Sequence, residues 1–413
     1  MKINWFFFVV FTVLYFSSRG ILVDDFGFSS IIDPILSGFI RLVGVVYLFR
    51  SIAVVHLKSL YKIYRILFWL IIILFISFLI NRSSVQQLIQ FIIFVFYPIG
   101  IGFIIIERLN ARQIQLLLKI IFLWLIIQFM FSCFSNLDRL ISSFVVDDPF
   151  FGFFSFPRAY HFSVFVVSMV FLILSYGRNS IIKTVPGKII LVLLLVTPIL
   201  AGAGRVVFSL ALAVSLVLVF ILRVSIFKRI LLATFLIPLS ALFERYANVY
   251  SITGDIFSSF IANPYSNLKF FYFIKSMGPL IEEPIYFLFG QGPGAYMSSS
   301  AKMFRPDLVD QFNESLHFYN NSDIYQAFNN IIGFLGDTGI FFLILYYYLY
   351  IKIFKLFQLK DFFALVTITF FMIFSVFFQI FDEPYFSLAV WIFIGVLVNK
   401  RISDNYSNEE SQI

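Results

Sequence analysis

Ile66–Ile80 reads Ile-Leu-Phe-Trp-Leu-Ile-Ile-Ile-Leu-Phe-Ile-Ser-Phe-Leu-Ile, with no charge, between Arg65 and Arg82. A helix crossing a bilayer needs roughly 20 apolar residues, with a range of about 17–25 once its flanks are counted. Comparable runs recur near 3–18, 31–55, 89–106, 115–134, 161–177, 188–203, 206–222, 229–243, 338–354, 362–380 and 385–399. The reading is an all-α, polytopic membrane helix bundle of about 12 transmembrane helices. It divides into residues 1–243 with nine helices and short loops, one long loop at 244–337, and 338–413 with the last three helices and a tail.

Composition agrees. The chain is 61% hydrophobic and 13% charged, with 60 Phe, whereas a soluble domain is about a quarter charged. That much apolar surface has to face lipid or other helices. In a soluble protein the formal charge of +8 would suggest nucleic acid. Here the basic residues are read as topology determinants, and no nucleic-acid partner is expected. Met1-Lys2 runs straight into Trp5–Phe16, and Ser17-Ser18-Arg19-Gly20 makes a poor cleavage site. The segment is therefore expected to be a retained first span.

The linkers test the span count. With the N-terminus cytoplasmic, the inside linkers and span edges hold Lys2, Arg50, Lys58, Lys62, Arg65, Arg108, Arg112, Lys119, Arg178, Lys183, Lys188, Arg223, Lys228, Arg229, Lys352, Lys355, Lys360, Lys400 and Arg401. The short outside linkers hold only Arg19, Arg82, Arg139, Arg158 and Arg205. Nineteen against five is a strong positive-inside bias that alternates linker by linker. Both termini are expected inside and the long loop outside. Asp24, Asp25, Asp138, Asp147, Asp148, Asp382 and Glu383 fall in short outside linkers, which supports this weakly.

Within the long loop, Phe270–Phe273 and Ile285–Phe289 are too short to span and suit helices lying in the headgroup zone. A polar tract, Gln291–Asn330, follows. No repeat of fixed period is visible, nor the inverted halves of many transporters. The tail Ser403–Ile413 is polar and expected to be disordered.

Several residues stand out chemically. Arg205 closes Ala201-Gly202-Ala203-Gly204-Arg205, a tight outside turn between two apolar runs. A charge near membrane depth costs roughly 2.5–3.5 kcal/mol even on lenient scales, and a guanidinium can grip a phosphate through two parallel bonds. Headgroup snorkelling is the bland alternative. Arg158 and His161, in Gly152-Phe-Phe-Ser-Phe-Pro157-Arg158-Ala-Tyr160-His161, share that outer surface. His317 and Asp323 in the long loop could accept a proton near neutral pH. Gly290-Gln291-Gly292-Pro293-Gly294 could bring backbone close to a ligand, although glycine clusters mostly mark turns. Arg41, inside the second span, is costly there and reads as pairing with an acid or lining a cavity. His56 reads as an ordinary span end. One cysteine, Cys133, gives no disulfide framework, and three scattered histidines give no metal site. A Gly-x-x-x-x-Gly-Lys loop is missing, which argues against an ATP-driven pump.

The layout resembles the superfamily of bacterial O-antigen polymerases and O-antigen ligases. The likeness rests on size, span count, one dominant outside loop late in the chain, and three loose motifs. Gly202-Ala203-Gly204-Arg205 is similar to that family's small-residue-plus-arginine turn. Leu288-Phe289-Gly290-Gln291-Gly292-Pro293-Gly294 is similar to its Phe-Gly-x-Gly-x-Gly segment. Ser322-Asp323-Ile324-Tyr325, followed by Gly336-Asp337-Thr338-Gly339-Ile340, resembles the loop end, where His-Asn-x-Tyr leads to Gly-x-x-Gly. Gly152–Pro157 resembles a Gly-Phe-x-x-Glu-Pro turn, with Phe156 in place of the acid. Ligases carry His-Asn where this chain has Ser322-Asp323, which tilts the resemblance towards polymerases.

The resemblance implies a metal-independent and cofactor-free glycosyltransferase in the bacterial inner membrane, with the loop periplasmic. The substrate would be an oligosaccharide on undecaprenyl diphosphate, with membrane lipids around it and a chain-length regulator protein as a further partner. A lipid diphosphate leaves as a stable anion, so fixed positive charge should meet it. Arg205 is expected in that role, and His317 or Asp323 as the base on the acceptor hydroxyl. Arg158, Arg245, Arg305, Gly292, Gly294, Tyr319 and Asn320 are the expected substrate contacts. A ligase, or a flippase for lipid-linked sugars, is the alternative.

Overall fold

The computed structural model describes residues 4–20, 22–23, 32–55, 57–135, 152–154, 159–177, 183–201, 203–218, 277, 280, 283–296, 330–357, 361–377, 380–381 and 383–410. The described residues are helical, with short turns between helices and no strand. The helices are α1 (Trp5–Gly20), α2 (Ile32–Val54), α3 (Tyr61–Asn81), α4 (Val85–Arg108), α5 (Ala111–Ser135) and α6 (Ala159–Tyr176). They continue with α7 (Val185–Leu200), α8 (Gly204–Leu216), α9 (Pro284–Phe289), α10 (Asn330–Phe354), α11 (Phe362–Phe377) and α12 (Pro384–Glu410). Among the described residues six are long and apolar enough to cross a membrane: α2, α3, α4, α5, α10 and, within α12, Tyr385–Asp404. The expected run 229–243 lies outside the described residues, as does most of the loop 244–337.

Helix α4 is the centre of the bundle, and its sequence explains why. Ser84 caps it, accepting from the Gln87 amide at 3.1 Å while the Gln87 side chain returns to the Ser84 amide at 3.2 Å. Its middle, Phe94–Ile106, is buried throughout. Two glycines there let neighbouring backbones touch. A Cβ on Gly100 would run into the Gly44 carbonyl of α2, and one on Gly102 would lie 3.0 Å from the Trp391 ring and carbonyl of α12. Gly395 of α12 approaches the Gly102 carbonyl in the same way, at 2.8 Å from a Cβ position. Helices in lipid gain nothing from hiding apolar surface from one another, so close backbone packing through small residues holds such contacts together. The outer faces of α2 and α3 carry exposed Phe39, Leu42, Val46, Phe68, Trp69 and Leu79, as lipid-facing surfaces do.

The second and third motifs of the resemblance meet physically. Helix α9 and the turn Gly290–Tyr296 lie across α3 and the first turns of α10. The Gln291 amide donates to the Gly336 carbonyl at 2.6 Å and the Gly292 amide to the Asp337 carbonyl at 3.0 Å. The fully buried Asp337 carboxylate accepts from the Gly294 amide at 2.9 Å and the Tyr296 amide at 2.7 Å. From α3, the Ser77 hydroxyl donates to the Phe289 carbonyl at 2.5 Å. Gly339 breaks the helical path of α10 with φ 82°, where a Cβ would collide with the Leu288 carbonyl. Gly336 leaves room for the Tyr296 ring. These glycines have a packing reason to be glycine.

Three boundaries differ from the sequence reading. Helix α10 begins at Asn330, inside the segment read as loop, because Asn330–Gly336 packs against other helices and not against water. The run 188–203 is a helix that turns at Val196, where Thr197-Pro198 restarts it. The tail is helical through Glu410: extending a formed helix costs little compared with nucleating one.

The side-chain contacts sort the linkers into two ends. At one end Arg19 meets Asp33, His161 meets Glu383, and the Asn330 side chain accepts from the Phe381 amide at 3.0 Å. At the other, Glu107 accepts from Tyr47 and Tyr64, the Asn399 side chain bonds the carbonyls of Ile105, Ile106 and Leu109, and the Lys400 ammonium bonds the Ser175 carbonyl at 2.9 Å. Among the described residues, these contacts separate the charges read from the sequence as outside, at the first end, from those read as inside, at the second.

Candidate functional site

An ionisable cluster fills the first end, built from α1, α2, α4, α6 and the start of α12. Arg19 ends α1, and its guanidinium grips Asp33 in the first turn of α2, with Nε–Oδ1 2.7 Å and Nη2–Oδ2 2.5 Å. Its Nη1 also reaches the Tyr385 hydroxyl at 3.3 Å. Tyr15, one turn back on α1, donates to the same Asp33 carboxylate. The Arg19 charge is thus met by a bidentate pair.

Arg41 differs. It lies eight residues beyond Asp33 on α2, about 12 Å further along the helix at 1.5 Å per residue. Its guanidinium carbon sits 4.9 Å from the Phe94 ring centroid and 5.7 Å from those of Phe16 and Tyr97. Its Nε is buried with no hydrogen-bond partner. Among the described residues the ion pairs are Arg19–Asp33 and His161–Glu383, and neither involves Arg41. A desolvated cation–π contact is worth about 2 kcal/mol, less than the cost of holding a charge at membrane depth. Among the described residues, ring faces rather than an ion pair surround this guanidinium.

The wall beside it is aromatic. His161, in the first turn of α6, stacks on Phe386 with centroids 4.4 Å apart and rings 4° from parallel. Its Nε2 faces the Glu383 carboxylate at 3.5 Å, and its Nδ1 is buried without a partner among the described residues. Glu383 also accepts the Tyr385 and Phe386 amides, at 2.8 and 3.0 Å, capping α12. Burial pushes its carboxyl upward, yet His161 and the two amides hold it below the ordinary glutamate value. Gly152–Phe154 closes the wall. Gly152, at φ 59°, donates its amide to Ser132 at 2.8 Å, and Phe154 lies 5.8 Å from the Tyr385 ring and 6.3 Å from that of His161.

Of the residues singled out in the sequence, this cluster brings together Arg41, His161 and the Gly152 turn. Arg205 stands second in α8, after a turn whose Ala201 and Ala203 are fully buried. Its side chain lies outside what is described, as do Arg158, Arg245, Arg305, His317, Tyr319, Asn320 and Asp323. Gly292 and Gly294 are described, and their amides are committed to Asp337. Sequence reasoning missed Tyr15, Asp33 and Tyr385 and read Arg19 and Glu383 only as topology charges. A signal existed: Tyr15 and Arg19 are four apart on one helix face, and Asp33 opens an apolar run. Among the described residues no group of three His, Cys, Asp or Glu side chains could hold a metal ion.

Fold and site together define a class: an all-helical protein with several membrane-crossing helices and an ionisable cluster packed into one end of the bundle. No family model, no curated protein and no solved structure matches the chain.

Proposed function

We propose that the chain is a polymerase of lipid-linked oligosaccharide repeat units, acting at the outer face of a bacterial inner membrane on undecaprenyl-diphosphate donors. The observation that carries this reading is Arg41, whose guanidinium has a buried, unpartnered Nε and is set between aromatic faces at the end of the bundle read as outside. A diphosphate on a polyprenyl tail is an anion that reaches this depth from the membrane side. The contact between Leu288–Gly294 and Gly336–Gly339 adds support, since it joins two motifs of the family resemblance into one unit. In this reading Arg205 meets the charge that grows on the leaving diphosphate, with Arg158, Arg245 and Arg305 as helpers. His317 or Asp323 takes the proton of the acceptor hydroxyl as it attacks the anomeric carbon. The glycosidic bond forms as the anomeric carbon–oxygen bond to the diphosphate breaks.

The test is Arg205→Ala in a strain whose own copy is deleted, with surface polysaccharide resolved on a gel. The expected outcome is loss of long chains and retention of single repeat units, with the variant still present in the membrane. Normal long-chain polysaccharide would refute the assignment. The same gel separates the alternatives, because loss of a ligase leaves long polymer on its lipid carrier. Loss of a flippase, a second reading that the depth of Arg41 also favours, leaves no repeat unit at the surface.

A further inference from the structure

At the second end of the bundle, α3 begins where α10 finishes. Ser59 and Leu60, just before α3, share a cleft with Lys355 and Leu356, just past the end of α10. Three lysines gather at this junction: Lys62 in the first turn of α3, Lys352 in the last turn of α10, and Lys355 three residues on. Lys62 and Lys355 are exposed and Lys352 is half-buried. They surround one tyrosine. The Lys352 ammonium lies 4.8 Å from the Tyr348 ring centroid, and the Tyr348 hydroxyl is within electrostatic reach of Lys62 and Lys355 as well.

No carboxylate offsets these charges: among the described residues the ion pairs are Arg19–Asp33 and His161–Glu383. Glu107, at the same end, instead accepts from the hydroxyls of Tyr47, Ser51 and Tyr64. Like charges three or four residues apart on a helix, as Lys352 and Lys355 are, destabilise it until an anion screens them. The positive-inside rule accounts for basic residues at this end, but it does not call for three of them around one phenol. The surface that leads to them is apolar. Phe341, Ile344, Tyr348 and Ile351 are exposed along α10, at spacings of three and four that put them on one face. Helix α3, which packs against α10, exposes Tyr61, Phe68 and Trp69. This is the order of groups in a phospholipid: acyl chains, then an interfacial layer where a tyrosine sits, then charge. Basic groups between transmembrane helices take anionic headgroups in this way. Three ammoniums outnumber the single charge of one phosphate diester, so the match is to a head with two.

We infer that the α3–α10 junction binds a phospholipid whose head carries two phosphates, with its acyl chains along the exposed face of α10. The inference is independent of the glycan reading. It uses none of that reading's residues, and it holds whichever side of the membrane this end faces. The test is native mass spectrometry of the full chain in detergent, supplied with cardiolipin, phosphatidylglycerol or inorganic diphosphate. The wild type is expected to retain cardiolipin about tenfold better than phosphatidylglycerol, as one or two further charge contacts imply. Lys62→Gln, Lys352→Gln and Lys355→Gln together should weaken cardiolipin retention about 100-fold. The same three positions changed to Arg keep the charge and should retain cardiolipin as the wild type does, which controls for misfolding. Arg112→Gln with Lys119→Gln, exposed charges elsewhere in the chain, should leave retention unchanged. Equal retention of phosphatidylglycerol, unchanged retention in the triple Gln variant, or an equal loss in the Arg112 and Lys119 variant would each overturn the inference. Displacement of cardiolipin by millimolar inorganic diphosphate would overturn it too, because the free anion would then be the ligand.

Discussion

Two ionisable side chains show how differently one membrane bundle can treat a charge. Asp337 is fully buried, but two backbone amides point at its two oxygens. It thereby fixes the Gly290–Tyr296 turn against α10. An asparagine would keep the shape and turn one acceptor into a donor facing an amide N–H. Leaving a buried donor unmet costs about 1–3 kcal/mol. Asp337→Asn is therefore expected to lower the thermal midpoint of the detergent-solubilised protein by several degrees, and an unmoved midpoint would remove Asp337 from this role. Among the described residues, Arg41 has ring faces around its guanidinium and no hydrogen-bond partner at its Nε.

Among the elements, α4 shows what the sequence made legible. Its apolar run, its Arg108 flank and its span were readable from hydropathy and charge. Its ends reach past the expected 89–106 because Gln86, Gln87, Glu107 and Arg108 are polar residues at a lipid boundary, which hydropathy reads as linker. Its partners were not legible, since one chain does not say that Gly100 faces Gly44 or that Gly102 faces Gly395 and Trp391. The same limit hid the Arg19–Asp33 pair, whose members sit just after the first apolar run and at the start of the second. Positions of charge along one chain reveal sidedness, but packing decides which charges meet. The helix contacts give a direct prediction. Gly100→Leu drives a side chain into the α2 backbone, and overpacking of this kind costs typically 1–3 kcal/mol. Gly38→Leu, on the same α2 where nothing lies within 4 Å of a Cβ, is the control. Size-exclusion profiles after graded heating should show early aggregation of Gly100→Leu and a Gly38→Leu curve near wild type. If both behave alike, the α2–α4 contact is not what holds this part of the bundle.

For the molecule as a whole, the question is which end faces which solution. Helix α4 is 24 residues long, about 36 Å at 1.5 Å per residue, enough for a hydrocarbon core of about 30 Å. Its two ends carry different chemistry. The first lies with the Arg19–Asp33 and His161–Glu383 pairs, and the second with Lys355, Lys400 and Arg401. By the positive-inside rule, the nineteen-to-five division of basic residues predicts a cytoplasmic second end. Cys133 is the single cysteine, so replacing it by alanine gives a background free of thiols. Gln86→Cys in the first turn of α4 and Ala111→Cys just past its last residue then mark exposed positions at the two ends of one span. In intact cells stripped of their outer barrier, a membrane-impermeant maleimide should label Cys at position 86. Position 111 should react only after the inner membrane is opened. Labelling of both from outside would mean that α4 does not cross. Labelling in the reverse order would turn the bundle over, placing Arg41 nearer the cytoplasm. An outer-face polymerase would then be untenable, so this one labelling experiment bears on every functional reading that depends on sidedness.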